Sequence, residues 1–412
     1  MQSSLANNSC LAPSRYNHYF VVLENYFIFN TLYGSLVRVP EYVFRNITRG
    51  SLPKNNTHKA ELIKHKFITT NCTDVISARR WHYRHLYSGI ANIFIVPTLD
   101  CNYSCSYCFQ RNFAKRNTVT YDIKAIEDII NLGIPSNTRM VRFTLLGGEL
   151  FLQPDDLTKL VGMLRHTCSI KNTITLITNG SFSANSLKEL SGKVNIIAVT
   201  FHEEYMNEER FSQIMYLLQQ HVSDTVEIEL RFIVRNPKST MLFSQYLRRW
   251  HNLPSNYSIV LSLIIPNTYN ESELDSCFSE NAMVKLIQSM LEITHNVRFN
   301  RNTSFCIAKQ NRSFAIGPDG SLYKCVSLAG TDCCYKTLEE LNLAHDRNAQ
   351  YTATEVLQNC SKCVWLPECN GGCFFVSKSK TDRFLNVDCS FLTNVNYGNH
   401  LIAALQYLKA NK

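Results

Sequence analysis

The sequence predicts an α/β fold around a parallel sheet, open or curled into a partial barrel. Two observations carry that expectation. Six apolar, β-branched runs, Ile90–Leu99, Val141–Leu146, Thr173–Thr178, Asn195–Phe201, Val226–Val234 and Ser258–Ile265, read as buried strands. Helix-like segments alternate with them, namely Tyr121–Leu132, Asp155–Thr167, Glu208–His221, Ser239–Trp250 and Asn281–Thr294, with Asp155 and Ser239 near the N-terminal turns. Strand and helix in alternation build a parallel sheet, because each crossover must carry the chain back to the same end. Such sheets bind ligands outside the carboxyl ends of their strands. The residues that follow each run are therefore the candidate site.

Residues 1–88 differ in kind. His18–Asn30 and Gly34–Val39 predict a β-hairpin, followed by short helices at Glu41–Ile47 and Lys59–Phe67 with polar Ser51–His58 between them. We divide the chain into a small N-terminal α+β domain (1–88), the sheet and its helices (89–300) and a C-terminal domain (301–412). Of the 412 residues, 45% are hydrophobic and 18% charged, which is too apolar for a disordered chain. No apolar run is long enough to span a bilayer, and the opening residues lack a basic head followed by an apolar stretch, so a cytoplasmic protein with no membrane contact is expected. The net charge of +9 fits an anionic partner, but the basic residues are scattered, with short groups such as Arg79-Arg80 and Arg248-Arg249, and nucleic acid is not expected.

The unusual count is 16 cysteines, which without an export signal points to metal or redox chemistry more than to disulfides. Cys10, Cys72, Cys168 and Cys277 stand alone and read as small buried hydrophobes. Three others share one loop directly after the first predicted strand, in Leu99-Asp100-Cys101-Asn102-Tyr103-Ser104-Cys105-Ser106-Tyr107-Cys108. Three thiolates so close can wrap one face of a cube-shaped iron–sulfur cluster and leave one iron open to a small molecule. Zinc is the competing reading, but a structural zinc site takes four ligands, and no further His or Cys lies nearby at the usual pair spacing.

The spacing Cys-x3-Cys-x2-Cys, with an aromatic residue before the last cysteine, resembles the signature of the radical S-adenosylmethionine superfamily. The resemblance implies that Cys101, Cys105 and Cys108 hold a 4Fe-4S cluster whose open iron chelates S-adenosylmethionine. One electron then splits the sulfonium into a 5′-deoxyadenosyl radical that abstracts hydrogen from carbon. It also implies a partial (β/α)6 barrel and places Tyr107 against the adenine. Gly147-Gly148-Glu149, at the end of the second strand, resembles the family's contact with the methionyl amine, although Leu150 stands where a proline usually follows. Thr178-Asn179-Gly180 after strand three and Thr200 on strand four resemble further cofactor contacts, against the plainer reading of a helix cap and a tight turn. His202 is a candidate to touch substrate in the barrel mouth, though a lone histidine is more often structural.

Nine cysteines lie between Cys306 and Cys389. Cys306-x13-Gly320-x4-Cys325, then Cys360-x2-Cys363-x5-Cys369-x3-Cys373 and finally Cys389 resemble the SPASM extension of these enzymes. The resemblance implies two auxiliary 4Fe-4S clusters, making three in all, with Cys306, Cys325 and Cys373 on one and Cys360, Cys363, Cys369 and Cys389 on the other. The first auxiliary cluster lacks a fourth ligand. Cys333 or Cys334 supplies it, or one iron is open, or those two cysteines are structural.

Enzymes of this combination mostly modify peptides. The resemblance implies a ribosomally made precursor with a leader as substrate, a flavodoxin or ferredoxin as reductant, and oxidative closure of a carbon–carbon, ether or thioether cross-link. The N-terminal hairpin and helices resemble a degenerate form of the small domain that holds such leaders as an added strand. A sulfatase-maturating enzyme is the nearest alternative. Such enzymes carry an aspartate directly after the cysteine corresponding to Cys325, where this chain has Val326, so another base such as Asp319 or Asp332 would have to serve. From another class, a structural zinc-binding adaptor would use the same cysteines only to hold a fold.

Overall fold

The computed structural model describes residues 11–86, 88–108, 110, 122–167, 170–234, 237–250, 253–263, 280–299, 307–351, 359–381 and 389–411. Cys10, Cys168, Cys277 and Cys306 lie outside them.

The N-terminal part carries more sheet than the expected hairpin. It runs β1 (Leu11–Pro13), β2 (Asn17–Val22), β3 (Asn25–Asn30) and β4 (Ser35–Val39), and β2-β3-β4 form a three-stranded antiparallel sheet. The first turn is two residues, Leu23 and Glu24, both at positive φ, the geometry that matches the twist of a tight hairpin. Helix α1 (Glu41–Thr48) follows, then α2 (Asn56–Lys64), which starts earlier than expected because the Asn55 side chain accepts from the Thr57 and His58 N–H groups. Strand β5 (Ile68–Thr70) pairs antiparallel with β1, and α3 (Asn71–Leu86) leads into the barrel.

The predicted alternation then appears, with element ends shifted by up to four residues: β6 (Ile90–Ile95), α4 (Ile123–Gly133), β7 (Met140–Leu145), α5 (Pro154–His166), β8 (Asn172–Thr178), α6 (Ala184–Leu190), β9 (Ile196–Phe201), α7 (Glu208–His221), β10 (Glu227–Val234), α8 (Pro237–Arg248), β11 (Tyr257–Leu263), α9 (Glu280–Leu291) and β12 (Val297–Phe299). The short α6 and β12 were not foreseen; a Ser183–Ser186 capping box begins α6. Beyond residue 300 come β13 (Phe314–Ile316), β14 (Leu322–Tyr323), α10 (Leu338–Tyr351), α11 (Leu366–Cys369), α12 (Phe374–Thr381) and α13 (Ser390–Ala410).

The main sheet has the order β12-β11-β10-β9-β8-β7-β6-β13-β14. All pairs from β12 through β13 are parallel, and β14 turns back antiparallel. Strand β13 covers the edge of β6 that would otherwise be open, so the sheet itself runs across the expected boundary at residue 300. Its two faces differ. Val141, Phe143, Leu145, Ile174, Leu176, Leu230 and Phe232 are wholly or almost wholly buried against the helices. Arg142, Thr144, Thr173, Thr175, Glu229 and Arg231, between them in sequence, line the hollow inside the sheet.

Candidate cofactor site at the carboxyl ends of the strands

Parallel register brings the candidate segments to one end of the barrel. Ile95 pairs with Leu145, Leu145 with Leu176, Thr178 with Val199 and Phe201 with Phe232, so the loops after β6, β7, β8 and β9 emerge side by side. There a pocket of about 270 Å³ is lined by Cys101, Cys105, Tyr107 and Cys108, together with Gly147, Gly148, Thr178, Asn179, Thr200 and His202. Gln110 also lines it, buried, with no hydrogen-bond partner for Nε2 among the described residues. A buried unpaired donor facing a pocket of thiols and backbone suits a ligand rich in acceptors, which S-adenosylmethionine is.

The glycines are required by close approach. The Gly148 N–H donates to Thr98 O at 2.9 Å and the Glu149 N–H to Asp100 O at 2.7 Å, so the β7 loop clamps the start of the cysteine loop. A Cβ on Gly148 would lie 1.9 Å from Asp100 O, and one on Gly147 2.3 Å from Thr98 O. Glu149 stands behind this clamp, fully buried. Its carboxylate accepts from Thr178 Oγ1 (2.7 Å), Asn179 N (2.7 Å) and Phe151 N (3.0 Å). Burial raises its pKa, and the three donors oppose that shift. In this arrangement Glu149 ties the ends of β7 and β8 together and sets Asn179, whose Nδ2 reaches Asn102 Oδ1 at 2.8 Å and lies 3.9 Å from Cys101 Sγ.

The cysteine loop rests on a second group of residues that sequence spacing did not reveal. The ring of Tyr205 stacks on Tyr103 with centroids 4.1 Å apart, and its hydroxyl accepts from the Ser104 N–H at 2.7 Å. Arg210 Nε donates to Tyr103 Oη at 2.8 Å, and the Glu204 carboxylate accepts from both Ser106 N and Ser106 Oγ. All three come from the segment after β9, about a hundred residues away in sequence; its position at a strand end was the available signal. His202 belongs to the same segment. Its Nδ1 lies 2.8 Å from Tyr107 Oη and 3.4 Å from Cys105 Sγ, and burial lowers its pKa to about 4, so the ring is neutral at ordinary pH. Burial, reinforced by the neighbouring thiols, pushes Cys105 up to about 12 and also raises Cys101. These thiols are protonated without a ligand and must release protons on binding metal.

Residues 89–217 match the family described as a 4Fe-4S single cluster domain. Across 80% of this chain and 78% of that protein, the sequence is 20% identical to the radical SAM cyclopropyl synthase TigE of Paramaledivibacter caminithermalis. The fold resembles anSMEcpe with bound AdoMet and Cp18Cys peptide, at a TM-score of 0.55 and 16% identity over 78% of this chain and 99% of that one. It also resembles Streptococcus suis SuiB bound to its precursor peptide SuiA, at a TM-score of 0.50 and 14% identity over 93% and 100%. This is a radical S-adenosylmethionine fold.

In this radical S-adenosylmethionine fold the later cysteines form two sets. Cys325, Cys333 and Cys334 pack on one apolar cluster with Phe374, the residue after Cys373. Cys360, Cys363, Cys369 and Cys389 form a separate set whose thiols influence one another electrostatically. Beside the second set lies Lys309, 3% exposed, whose Nζ donates to Asn370 O (2.7 Å) and Gly372 O (3.1 Å) and whose charge favours the thiolates of Cys369 and Cys360. Asn370, fully buried and left-handed, has neither side-chain polar atom satisfied among the described residues. Among the described residues, no three His, Cys, Asp or Glu side chains converge as a single metal ion requires. A cubic cluster takes its thiolates at separate corners, so its ligands surround a volume rather than a point. Also among the described residues, no helix is long and apolar enough to cross a membrane.

The N-terminal sheet packs directly on this region. Arg15 Nη1 donates to Ser361 O, Thr31 Oγ1 donates to Val364 O, and Tyr16 and Leu32 share a buried cluster with Cys360 and Leu366. His18 sits among Phe20, Trp365, Tyr397 and His400.

Proposed function

We propose that the protein is a peptide maturase that takes hydrogen from a residue of a ribosomally made precursor and closes a new bond oxidatively. The observation that carries this is the convergence of three cysteines, a double-glycine clamp and the Gln110 orphan donor on one pocket at the strand ends. Bound there, a 4Fe-4S cluster with S-adenosylmethionine supplies a 5′-deoxyadenosyl radical. The chain's own residues hold the site: Cys101, Cys105 and Cys108 as ligands, Gly147 and Gly148 for close backbone approach, and Thr178, Asn179 and Thr200 as polar contacts. Tyr107 is kept in place through His202. Glu149 acts from behind, fixing Asn179.

Two auxiliary clusters, on Cys306, Cys325 and Cys373 with Cys333 as the added ligand and on Cys360, Cys363, Cys369 and Cys389, would accept the electron left when the second hydrogen departs as a proton. A flavodoxin or ferredoxin would supply the reducing electron, in the cytoplasm. Strand β4 is an edge of the N-terminal sheet with no strand beyond it among the described residues, and a leader added there would gain main-chain hydrogen bonds. We read residues 1–88 as the leader-holding domain, 89–300 as the barrel and 301–412 as the auxiliary domain. The likeness in fold to SuiB bound to its precursor peptide and to anSMEcpe bound to the Cp18Cys peptide supports a peptide substrate. Formylglycine formation is less well supported: Val326 packs against apolar residues, and Asp319 is engaged by Ser321 N and Oγ.

The test is anaerobic reconstitution, followed by incubation with S-adenosylmethionine, a reductant and a short peptide encoded beside this chain. Formation of 5′-deoxyadenosine with loss of two hydrogens from the peptide per bond closed is expected. Failure to form 5′-deoxyadenosine would overturn the enzyme reading, and oxidation of a sulfatase peptide instead would overturn the cross-linking one.

A further inference from the structure

Below the cofactor pocket, the barrel encloses a second cavity of about 890 Å³. Its wall is charged. Glu227, Glu229 and Arg231 enter from β10, Arg298 from β12 and Arg142 from β7. Arg231 Nε and Nη2 donate to Glu229 Oε2 at 2.9 and 2.6 Å, and Arg298 pairs with Glu229 Oε1 and lies 3.5 Å from Glu227 Oε1. The two carboxylates are thus matched by two guanidinium groups. Arg142 remains, exposed to the cavity, with no hydrogen bond or ion pair among the described residues. Among the described residues, three arginines against two glutamates leave a surplus of one positive charge in the lining.

That surplus selects the ligand. A guanidinium fork matches a planar carboxylate by two parallel hydrogen bonds, and one carboxylate balances one charge, whereas a phosphate dianion would overshoot. Thr144 and Thr175 on adjoining strands offer further hydroxyls to such a group. Arg142 and Thr144 lie on the same face of β7 as Leu146, which lines the cofactor pocket, so the two sites share one continuous inner wall. Leu146 lies four residue steps beyond Arg142, roughly 13 Å at about 3.3 Å each.

We propose that Arg142 anchors a carboxylate of the peptide substrate inside the barrel, about four extended residues from the residue attacked. This rests on the peptide-maturase reading. The carboxylate comes from an Asp or Glu side chain or from the peptide's C-terminus, and three small probes separate these sources: N-acetylglutamate α-amide, N-acetylglutamine with a free α-carboxylate, and neutral N-acetylglutamine amide. Their binding to the reconstituted holoenzyme is read by ligand-observed NMR. At least one acid should bind about tenfold or more tightly than the neutral probe, the preferred acid naming the source and equal binding allowing both. Arg142→Gln should abolish the preference and Arg142→Lys retain part of it. Equal binding of acids and amide to the wild type, a comparison that needs no variant to fold, would overturn the proposal, as would an unchanged preference in Arg142→Gln. Acid binding through Arg142 in a protein that makes no 5′-deoxyadenosine would withdraw the maturase reading and keep the carboxylate site. Peptide modification with no acid preference would do the reverse.

Discussion

Cys101, Cys105 and Cys108 stand on a loop whose position is inherited from parallel strands, whereas Cys325 to Cys389 stand on turns and short helices. The first group is fixed by register and by close backbone approach from the β7 loop. The second is fixed by individual polar groups, Lys309 bonding the carbonyls between Cys369 and Cys373, and by the N-terminal sheet packed on Cys360 and Leu366. The same kind of ligand is therefore held in one place by collective geometry and in the other by a few replaceable contacts. Substitutions should act differently on the two.

The largest effect is expected at the first group. Cys105→Ala removes a ligand and should reduce 5′-deoxyadenosine formation to background while leaving the later cysteines able to take up iron; unchanged turnover would refute the assignment. Next in size is Gly148→Ala, where a methyl group would meet the Asp100 carbonyl at 1.9 Å. Neither partner is a flexible side-chain tip, so we expect destabilisation of about 2–3 kcal/mol from overpacking, measured by urea unfolding, together with weaker S-adenosylmethionine binding. Gly162, inside α5 with nothing within 4 Å of its would-be Cβ, is the internal contrast. Gly162→Ala should stabilise by about 0.5–1 kcal/mol, since alanine loses less backbone freedom in a helix.

At the second group, Lys309→Met should move the midpoint potential of a cluster held by Cys360 and Cys369 to more negative values, because a cation beside a cluster favours its reduced state. Potentiometric titration followed by electron paramagnetic resonance reads this. Lys324 is the comparison: equally buried, it bonds Gln310 O, Ser313 O and His345 and adjoins Cys325, whereas the cation acting on Cys360 and Cys369 is Lys309. Lys324→Met should leave the potential in place, and equal shifts in both variants would assign the effect to folding.

Most of the barrel was legible because its strands and helices repeat, and Glu208–His221 falls where the periodicity put it. The N-terminal hairpin gained a strand and α3 went unseen, since neither carried a clear period. More instructive is the polar lumen. Met140–Leu145 reads MVRFTL and Glu227–Val234 reads EIELRFIV; taken as apolar runs, these gave the right strands, but their alternation with arginine, threonine and glutamate already marked one face as unburied. The cysteine motifs were visible by spacing alone. Tyr103, Tyr205 and Arg210 were not, because their contacts cross about a hundred residues and depend on which strands are neighbours.

The smallest effect sharpens the comparison at the contact between the N-terminal sheet and the second cysteine group. His18, enclosed by Phe20, Trp365, Tyr397 and His400, has its pKa lowered to about 3, first by burial and then by His400. An unfolded histidine binds a proton below about pH 6.5, and the folded ring does not until far lower, so the unfolded state is favoured as pH falls. The stability held by neutral His18 is present above that pH and is lost progressively toward pH 3. Between pH 7 and 5.5 the loss attributable to this one ring is on the order of 1 kcal/mol, trimmed by its partial exposure. His18→Phe keeps an aromatic ring in the stack and removes the titration, so its urea midpoint should fall less over that interval than the wild type's. Parallel falls in the two proteins would mean that the contact does not exclude protons, and that the N-terminal sheet sits more loosely on Trp365 than the stacking of these rings indicates.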